Sequence, residues 1–376
     1  MQQAGWNTGA YGKYLNGYSN QAPGGYVPPG WNDWRVFDNS VGYAEYWLNE
    51  NGENVYYGTD ERSYSTNVFF RLAGEHMDRS IRDSKPFFVY LNPYAPHMPA
   101  LPGPRHGRMF SEKTCEALRV LSFDEEDISD KPGWIHQRGR RMNAEEIRIA
   151  DRGFCRAMAS MLAVDDGIGE MMAFLDQRKQ LDRTVIVFTS DNGFMNGEHR
   201  MPDKKDNVYD EAARVPLIVF GPGLARGTTL FHPVSNVDIA PTILDLLGMP
   251  IPDSMDGRPL TPLMKVGSLP PSQWRQAVLY EHFDDHSHLD DEGTRSPIPP
   301  FKAIRTAGHV YARYTDGGVN GVGTRMVAEE LYDMKQDPLQ LDNLLGPKGN
   351  PDPQLVASLR QQLDKLAACK GPACRQ

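Results

Sequence analysis

Polar side chains that could bind a metal ion follow a short apolar run near the middle of the sequence. The run TVIVF leads into TSDNGFMNGEH, which occupies residues 189–199. Asp191 and Asn192 in this stretch offer side-chain oxygens, the ligands that hard cations such as Ca²⁺ and Mg²⁺ prefer. An isolated Asp-Asn-Gly is also typical of a turn closed by Asx hydrogen bonds. We favour a cation site because Glu198 and His199 follow within the same loop.

Basic side chains occur in the same loop and in two other parts of the sequence. Lys204 and Lys205 follow the Glu-His pair. His97 lies in the Pro-rich stretch PYAPHMP, and Lys13 lies in GAYGKYLNGY. Taken alone, such a histidine is more often structural than catalytic, and such a lysine is usually an ordinary surface residue. Two lysines, a histidine and a divalent cation together would form an electropositive pocket in an acidic protein, and such a pocket suits a small oxyanion.

The elements that position these residues are predicted from hydrophobic periodicity. Apolar residues at helical spacing predict helices over residues 65–84 and 145–178, and a third helix in IAPTILDLLG that ends at Gly248. The apolar runs FFVYL, TVIVFTS and VPLIVFGPG predict buried strands. Strands that alternate with helices indicate an α/β fold in which helices cover both faces of the sheet. In such sheets the loops at the carboxyl ends of the strands form the ligand crevice.

The two ends of the chain show different patterns. The first 60 residues are rich in Gly, Tyr, Trp, Asn and Pro with little periodicity, and we expect them to form loops around a surface site. From about residue 270, short β-like pieces predict a small antiparallel sheet, and LVASLRQQLDKLAA predicts a closing helix. We therefore expect a main catalytic domain over residues 1–268 and a smaller α+β subdomain over residues 269–376.

The composition excludes several classes of function. The 376 residues are 40% hydrophobic, which is enough for a large core, and the formal net charge is -9. An acidic chain has no broad basic field for nucleic acid, and we interpret the basic cluster at 138–143 as a solvated face. No apolar run approaches the roughly 18 residues that span a bilayer, and residues 1–20 lack a signal-peptide pattern. We expect a soluble chain with neither nucleic acid nor a membrane as a partner.

The four cysteines fall into two groups. Cys115 and Cys155 are isolated in the sequence, and we expect them to be unpaired core or loop residues. Cys369 and Cys374 flank a Gly-Pro turn in CKGPAC. That spacing suits a small disulfide loop, which would favour an oxidising compartment.

Several motifs together resemble one known family. TSDNGFMNGEH with downstream RVPLIVFGPG, TGAYGKYLNGY, the PHMP loop and the tail ELYDMKQDPLQLDNL are similar to those of sulfatases in the alkaline phosphatase-like superfamily. GKYLN, PYAPHMPALPGPRH and CKGPAC most resemble the branch of N-acetylglucosamine-6-sulfatases and arylsulfatases. The resemblance covers almost the whole chain. It implies a mixed, mostly parallel sheet between helices, a smaller C-terminal antiparallel sheet, and hydrolysis of a sulfate ester at a calcium site.

The resemblance also implies roles for the polar residues. The Asp and Asn of SDNG bind one Ca²⁺ in this family, which makes Asp191 and Asn192 the expected metal ligands. Lys13, from the GK motif, would contact the sulfate and the nucleophile, and His97, from PHxP, would contact sulfate oxygens. Many members have a histidine two residues after the GK lysine, whereas this chain has Leu15 there.

The loop after SDNG supplies the remaining predicted contacts. The family has a lysine a few residues beyond GEH that contacts sulfate oxygens, and we place it at Lys205 with Lys204 as the alternative. His199 would contact the leaving group or support the residues that do. The implied substrate is a sulfate ester, either a small molecule or a sulfated glycan.

The family's nucleophile has no counterpart in this sequence. It is a formylglycine made from the Cys of a Cys-x-Pro-Ser-Arg stretch, and none of the four cysteines has that context. The family also has two metal-binding Asp residues further upstream. Asp165 and Asp166 fall inside the predicted long helix, and we interpret them as structural. We expect this chain to lack the front end of the enzyme, to be inactive alone, and to bind calcium weakly.

Two alternatives to a sulfatase stay open. One is a phosphatase or phosphonate hydrolase of the same superfamily, which would have Thr or Ser as the nucleophile. The other is a non-catalytic protein that binds sulfated glycans. The resemblance and CKGPAC imply an extracytoplasmic location. We expect His282, His286 and His288 to lie in an exposed loop near the substrate entrance rather than to bind a metal.

Overall fold

Contacts within the computed structural model divide the chain into two units. The residues described are 1–21, 24–38, 40–110, 115–136, 140–265, 269–283, 298–316 and 325–375. The first unit consists of Met1–Ala117 and Ile149–Thr184, and the second unit consists of Leu118–Arg148 and Val185–Gln376. The division predicted between residues 268 and 269 stays a prediction about domain organisation.

The regular elements follow the predicted alternation over most of the chain. The strands are β1 (Asn7–Gly12), β2 (Asp33–Phe37), β3 (Tyr46–Glu50), β4 (Glu53–Tyr57), β5 (Phe87–Asn92), β6 (Ile186–Thr189), β7 (Leu217–Phe220), β8 (Ala277–His282), β9 (Phe301–Thr306), β10 (His309–Thr315) and β11 (Met326–Asp333). The helices are α1 (Tyr18–Gln21), α2 (Ser65–Arg82), α3 (Gly133–His136), α4 (Ala144–Gln177), α5 (Asp210–Ala213), α6 (Ile239–Leu246), α7 (Thr261–Met264) and α8 (Pro353–Ala368). The predicted helices correspond to α2, α4, α6 and α8, and the three predicted strands correspond to β5, β6 and β7. The prediction that these strands are buried is wrong, because all their residues are partly exposed or exposed, with Tyr90 and Ile218 the most exposed.

The first unit is built on a five-stranded mixed sheet with the order β4-β3-β2-β1-β5. β1 pairs in parallel with β2 and β5, whereas β3 and β4 extend the sheet as antiparallel strands. The predicted mixed sheet is therefore confirmed, with two parallel and two antiparallel pairings where a mostly parallel sheet was expected. The prediction of loops over the first 60 residues is wrong, because this segment supplies β1 to β4. Five of the six residues of β1 are buried, and a strand buried on both faces lacks the alternation from which strands are recognised.

Helix α2 packs its apolar side on this sheet. Helical spacing of apolar residues puts them on one face of α2, and that face is buried while the opposite one stays polar. The resulting apolar cluster joins α2 to β1, β2 and β3 and consists of Tyr11, Phe37, Tyr46, Leu48, Val68, Phe69, Leu72 and Ala73. This packing holds β1, whose carboxyl end leads into the predicted site residue Lys13.

Helix α4 makes close contacts within the first unit. Gly167 lies against the ring of Phe70 in α2, where an added Cβ would come within 2.5 Å of the ring. The neighbouring Asp166 forms ion pairs with Arg105 at 2.7 Å and with His106 at 3.1 Å. These contacts agree with the structural interpretation of Asp166.

Both cysteine pairs form disulfides. The bond between Cys369 and Cys374 closes the predicted C-terminal loop. The prediction that Cys115 and Cys155 are unpaired is wrong, because the fold brings these residues together across 40 positions of sequence. Cys155 lies in α4. The segment around Cys115 packs against that helix, and a contact between such distant segments is not predictable from local sequence. All four cysteines are therefore bonded.

The second unit contains two antiparallel sheets. β6 pairs with β7, and β8 to β11 form a four-stranded sheet in the order β11-β10-β9-β8. The predicted C-terminal antiparallel sheet is therefore confirmed. Helix α8 packs on it through an apolar cluster made of Ala277, Ile304, Tyr311, Leu331, Val356, Leu359 and Leu363. Among the residues with described structure, no helix combines the length and the apolarity that crossing a bilayer requires.

Candidate functional site

Lys13 follows directly after β1, and His97 lies in the loop after the neighbouring parallel strand β5. Gly12 is paired with Asn92 where the two strands end. The Lys13 backbone N–H donates to the Asn92 backbone O at 2.8 Å, and the Asn92 Nδ2 donates to the Lys13 O at 2.8 Å. Because neighbouring parallel strands end at the same edge of a sheet, the topology brings these two predicted site residues to one place.

Both basic side chains approach the ring of Tyr94. The His97 ring stacks on the Tyr94 ring with centroids 4.7 Å apart, and the Lys13 Nζ lies 6.0 Å from the centre of the same ring. An ammonium group at this distance is attracted by the negative face of an aromatic ring. Sequence reasoning missed Tyr94. The available signal was its place in NPYAPHMP, three residues before the histidine, where a turn closed by the His97 N–H on the Tyr94 O stacks the rings.

Hydrogen bonds fix the orientation of His97. Its Nδ1 lies 2.8 Å from the Met98 backbone O, which also accepts a hydrogen bond from the Tyr94 hydroxyl at 2.9 Å. The Tyr43 hydroxyl donates to the His97 O at 2.6 Å. Burial raises the pKa of the Tyr43 phenol, so this group stays protonated and keeps its hydrogen bond.

Asp191 and Asn192 lie in the turn that follows β6 in the second unit. The Asp191 Oδ1 accepts a hydrogen bond from the Asn192 N–H at 2.9 Å. The Gly193 N–H donates to the Ala212 O at 2.8 Å, and an added Cβ at Gly193 would lie 2.0 Å from the Glu211 O. Glycine therefore follows the Asp-Asn pair because the backbone of α5 leaves no space for a side chain.

The Asp-Asn pair offers suitable donor atoms for a hard cation, but too few of them. The Asp191 side chain is exposed, and Asn236 supports the turn by donating from Nδ2 to the Ser190 O at 3.0 Å. Ca²⁺ takes about six to eight oxygen ligands. Within the described ranges, no group of three or more His, Cys, Asp or Glu side chains could hold a metal ion. Asp191 and Asn192 therefore fit part of a cation site, and the other ligands have to come from further groups.

His199 is fully buried in the second unit. Its Nδ1 lies 2.6 Å from the Glu125 Oε2, and its ring stacks on the Tyr209 ring with centroids 3.9 Å apart. The Lys131 Nζ lies 3.1 Å from the other oxygen of Glu125. Of the two roles predicted for His199, support of other residues fits this burial better than contact with the leaving group, and both stay predictions.

Lys204 and Lys205 lie in the same loop as His199, and both are partly buried. A single β-bridge pairs Met195 with Lys204, and the Met195 N–H donates to the Lys204 O at 2.8 Å. This bridge ties the lysine pair to the chain that follows the SDNG turn. Lys205 and its alternative Lys204 both stay candidates for the sulfate contact.

The histidines near residue 285 are described only in part. His282 ends β8 and stacks on Phe301 with ring centroids 5.6 Å apart. His286 and His288 lie outside the described residues, so the predicted exposed loop stays a prediction.

The chain matches two protein-family models. The model described as Sulfatase matches residues 1–249. The model described as N-sulphoglucosamine sulphohydrolase, C-terminal, matches residues 197–369. The first match alone covers well over half of the chain and includes every residue predicted to act in the site.

Two curated relatives illustrate the similarity. The chain is 29% identical to N-acetylglucosamine-6-sulfatase from Bos taurus, over 99% of this chain and 68% of the relative. It is 33% identical to a putative extracellular sulfatase Sulf-1 homolog from Caenorhabditis elegans, over 81% of this chain. The chain spans 42% of the length of that second relative, which is therefore a much longer protein.

Two solved structures share the fold. A protein solved in complex with its substrate D-glucosamine-2-N,6-O-disulfate has a TM-score of 0.77 and 23% identity, over 96% of this chain and 79% of that chain. Phosphonate monoester hydrolase from Silicibacter pomeroyi has a TM-score of 0.65 and 24% identity, over 84% of this chain and 62% of that chain. At these identities the likeness shows the fold alone, and it confirms the predicted fold class. The family is shown by the match over residues 1–249: the chain belongs to the sulfatases, the enzymes that hydrolyse sulfuric esters.

Proposed function

We propose that this protein acts on the sulfate group of a sulfated amino sugar or a sulfated glycan. The observation that carries the proposal is the meeting of Lys13 and His97 on Tyr94, where two neighbouring parallel strands end. Basic groups at that edge suit an anionic ligand. The substrate class is supported by the relative named N-acetylglucosamine-6-sulfatase and by the fold neighbour solved with a glucosamine disulfate.

Each basic residue has an electrostatic task in this proposal. As the ester bond breaks, negative charge grows on the sulfuryl oxygens and on the leaving oxygen, and fixed positive charges near those atoms lower the barrier. The Lys13 ammonium and the His97 imidazole bind sulfate oxygens. Lys205, with Lys204 as the alternative, has the same task. His199 keeps its loop in place from the interior.

Asp191 and Asn192 are the proposed ligands of a divalent cation, which we take to be Ca²⁺. When bound, the cation supplies positive charge to the sulfuryl oxygens. The exposed Asp191 carboxylate contributes the negative charge and the Asn192 amide contributes a neutral oxygen. Because two residues leave most of the coordination to other groups, we propose that this chain alone binds calcium weakly.

Replacing Asp191 with Asn is expected to weaken calcium binding by at least about tenfold, because it removes the formal charge of the pair. Calorimetric titration with calcium chloride measures the effect. Asp206→Asn removes an exposed carboxylate later in the same loop and is the matched control, expected to leave the affinity unchanged. Equal effects of the two substitutions would contradict the assignment.

We propose that this chain binds sulfate without turning over a sulfate ester. All four cysteines are in disulfides, and none stands in the Cys-x-Pro-Ser-Arg context of the family's formylglycine. We expect calorimetry to detect saturable binding of sulfate, and ion chromatography to detect no sulfate released from glucosamine-6-sulfate. The double variant Lys13→Met/His97→Gln should lose the binding. Release of sulfate would contradict the inactivity, and binding retained by the double variant would contradict the site.

A phosphonate or phosphate ester is the second candidate substrate class. The shared fold with a phosphonate monoester hydrolase favours it, because a phosphonate also presents tetrahedral anionic oxygens to basic residues. Competition against bound sulfate separates the classes. We expect glucosamine-6-sulfate to displace sulfate at lower concentration than phenylphosphonate does, and the reverse order would favour the phosphorus esters. Binding of sulfated glycans without catalysis is a third role. It fits a chain that binds sulfate and does not hydrolyse a sulfate ester.

We propose an extracytoplasmic location for the protein. Disulfides form and persist in oxidising compartments, and this chain has two of them. The relative named as a putative extracellular sulfatase Sulf-1 homolog supports the same location.

A further inference from the structure

The Met98 backbone carbonyl accepts two hydrogen bonds beside the proposed sulfate site. One comes from the Tyr94 hydroxyl at 2.9 Å, and the His97 Nδ1 lies 2.8 Å from the same oxygen. A carbonyl oxygen can only accept, so the His97 Nδ1 has to carry a hydrogen. A neutral imidazole carries hydrogen on one nitrogen alone. The neutral form of His97 is therefore the Nδ1–H tautomer, with a lone pair on Nε2.

This tautomer has a consequence for anion binding. Sulfate oxygens accept hydrogen bonds and do not donate them, so a lone pair on the His97 Nε2 would repel them. The imidazolium form differs, because it has a hydrogen on each ring nitrogen. It can keep the Nδ1–H bond to Met98 and also donate from Nε2 to sulfate. His97 is thus an anion ligand in its charged form alone.

Tyr94 holds the histidine in this arrangement. Its ring supports the His97 ring by stacking and lies under the Lys13 ammonium, and its hydroxyl shares the Met98 carbonyl. We infer that Tyr94 is a positioning residue that keeps His97 in the Nδ1–H tautomer, so that sulfate binding requires a protonated His97. This inference rests on the proposed function, because it concerns the same sulfate site.

Among the described residues, Tyr94 stacks on the His97 ring, Tyr43 donates to the His97 backbone O, and the Lys13 ammonium lies over the Tyr94 ring. Both phenols serve as hydrogen-bond donors and are neutral. A bound sulfate dianion favours the imidazolium form of His97, because the two carry opposite charges. Sulfate binding should therefore draw a proton onto His97, and by reciprocity protonation should raise the sulfate affinity.

The pH dependence follows from this coupling. Sulfate keeps both of its charges throughout the range in which imidazole titrates. Binding to the protonated protein requires no proton uptake, whereas binding to the deprotonated protein requires one proton. The sulfate affinity should therefore be constant at low pH and fall by about tenfold per pH unit above the titration of His97. Calorimetry at several pH values measures the slope.

The tautomer can be measured without any ligand. Long-range proton–nitrogen NMR spectra of the protein with ¹⁵N-labelled histidine distinguish a protonated Nδ1 from a protonated Nε2, and the His97→Gln variant assigns the signals. We expect neutral His97 to carry its hydrogen on Nδ1. A neutral ring protonated on Nε2 would overturn the inference.

Two substitutions separate positioning from simple packing. Tyr94→Phe keeps the stacked ring, so it should preserve the tautomer and the pH slope and lower the sulfate affinity by about threefold or less. Tyr94→Leu removes the ring, and it should lower the affinity by about tenfold and populate both tautomers. Tyr56→Leu, at an exposed tyrosine of β4, is the matched control and should change neither. If Tyr94→Leu kept the tautomer and the slope, Tyr94 would be a packing residue only.

The outcomes also separate this inference from the proposed function. Failure of the unmodified protein to bind sulfate at any pH would contradict the proposed function. The ligand-free tautomer would still test whether His97 carries its hydrogen on Nδ1, and unfolding of Tyr94→Leu would leave that measurement on the unmodified protein unaffected.

Discussion

Replacing Gly12 with Ala is expected to destabilise the protein by about 2–5 kcal/mol. Gly12 has a φ of 105°, which disfavours a side chain, and an added Cβ would lie 1.9 Å from the Asn92 O. That oxygen accepts the Lys13 N–H, so the collision falls on the hydrogen bond that ties β1 to β5 beside the site. Urea unfolding followed by circular dichroism measures the loss, and sulfate affinity should fall with it because Lys13 moves.

Gly74→Ala is the matched control for this substitution. Gly74 lies inside α2, and an added Cβ there meets no atom within 4 Å. The same chemical change should therefore stabilise the protein, by about 0.5–1 kcal/mol, because alanine loses less backbone entropy in a helix than glycine does. We expect Gly12→Ala to lower the free energy of unfolding and Gly74→Ala to raise it. Small changes of the same sign at both positions would contradict the close approach of Gly12 to the Asn92 O.

Replacing Lys131 with Met is expected to destabilise the second unit by about 3–5 kcal/mol. The Lys131 side chain has 0% exposure, and its Nζ lies 3.1 Å from the Glu125 Oε1. The ammonium also donates to the Leu341 O. Removing it leaves the buried Glu125 carboxylate with His199 as its other partner, and a buried charge that loses a partner is costly. Urea unfolding at neutral pH measures the change.

An exposed ion pair of the same type provides the control. Lys348 lies 2.7 Å from Asp127, with side-chain exposures of 75% and 60%. Water and salt screen such a pair, so Lys348→Met should leave the unfolding midpoint nearly unchanged. In the double variant Lys131→Met/Glu125→Gln, both charges are absent, and the protein should be more stable than Lys131→Met alone. Equal losses from Lys131→Met and Lys348→Met would show that the buried network does not stabilise the fold.

Elements with one buried and one solvated side were predictable from sequence. The apolar stripes of α2, α4 and α8 repeat at helical spacing because one side of each helix packs on other elements and the other side meets water. The strands β5, β6 and β7 appeared as apolar runs bounded by polar loops. Their ends could be located, and with them the polar residues that follow. Asp191, Asn192 and His97 were selected for that reason.

The first 60 residues were not predictable in the same way. β1 has the sequence NTGAYG, in which glycine, alanine and a single tyrosine are buried without alternation. A central strand whose two faces are both covered has no solvent-exposed side, so its sequence lacks the period of two that an exposed face produces. Lys13 was still selected, from its motif, although the strand that positions it was missed.

The sequence alone determined which chemical groups the protein has, most of its helices and central strands, and its family, because these depend on residue type and on short-range spacing. The tertiary structure decided which distant residues meet. Cys115 bonds to Cys155, Lys13 and His97 share the ring of Tyr94, and His199 lies in the interior. The physical reason is that such contacts follow from strand pairing and helix packing between segments far apart in the chain. The hydrophobic periodicity of one segment does not specify which distant segment packs against it.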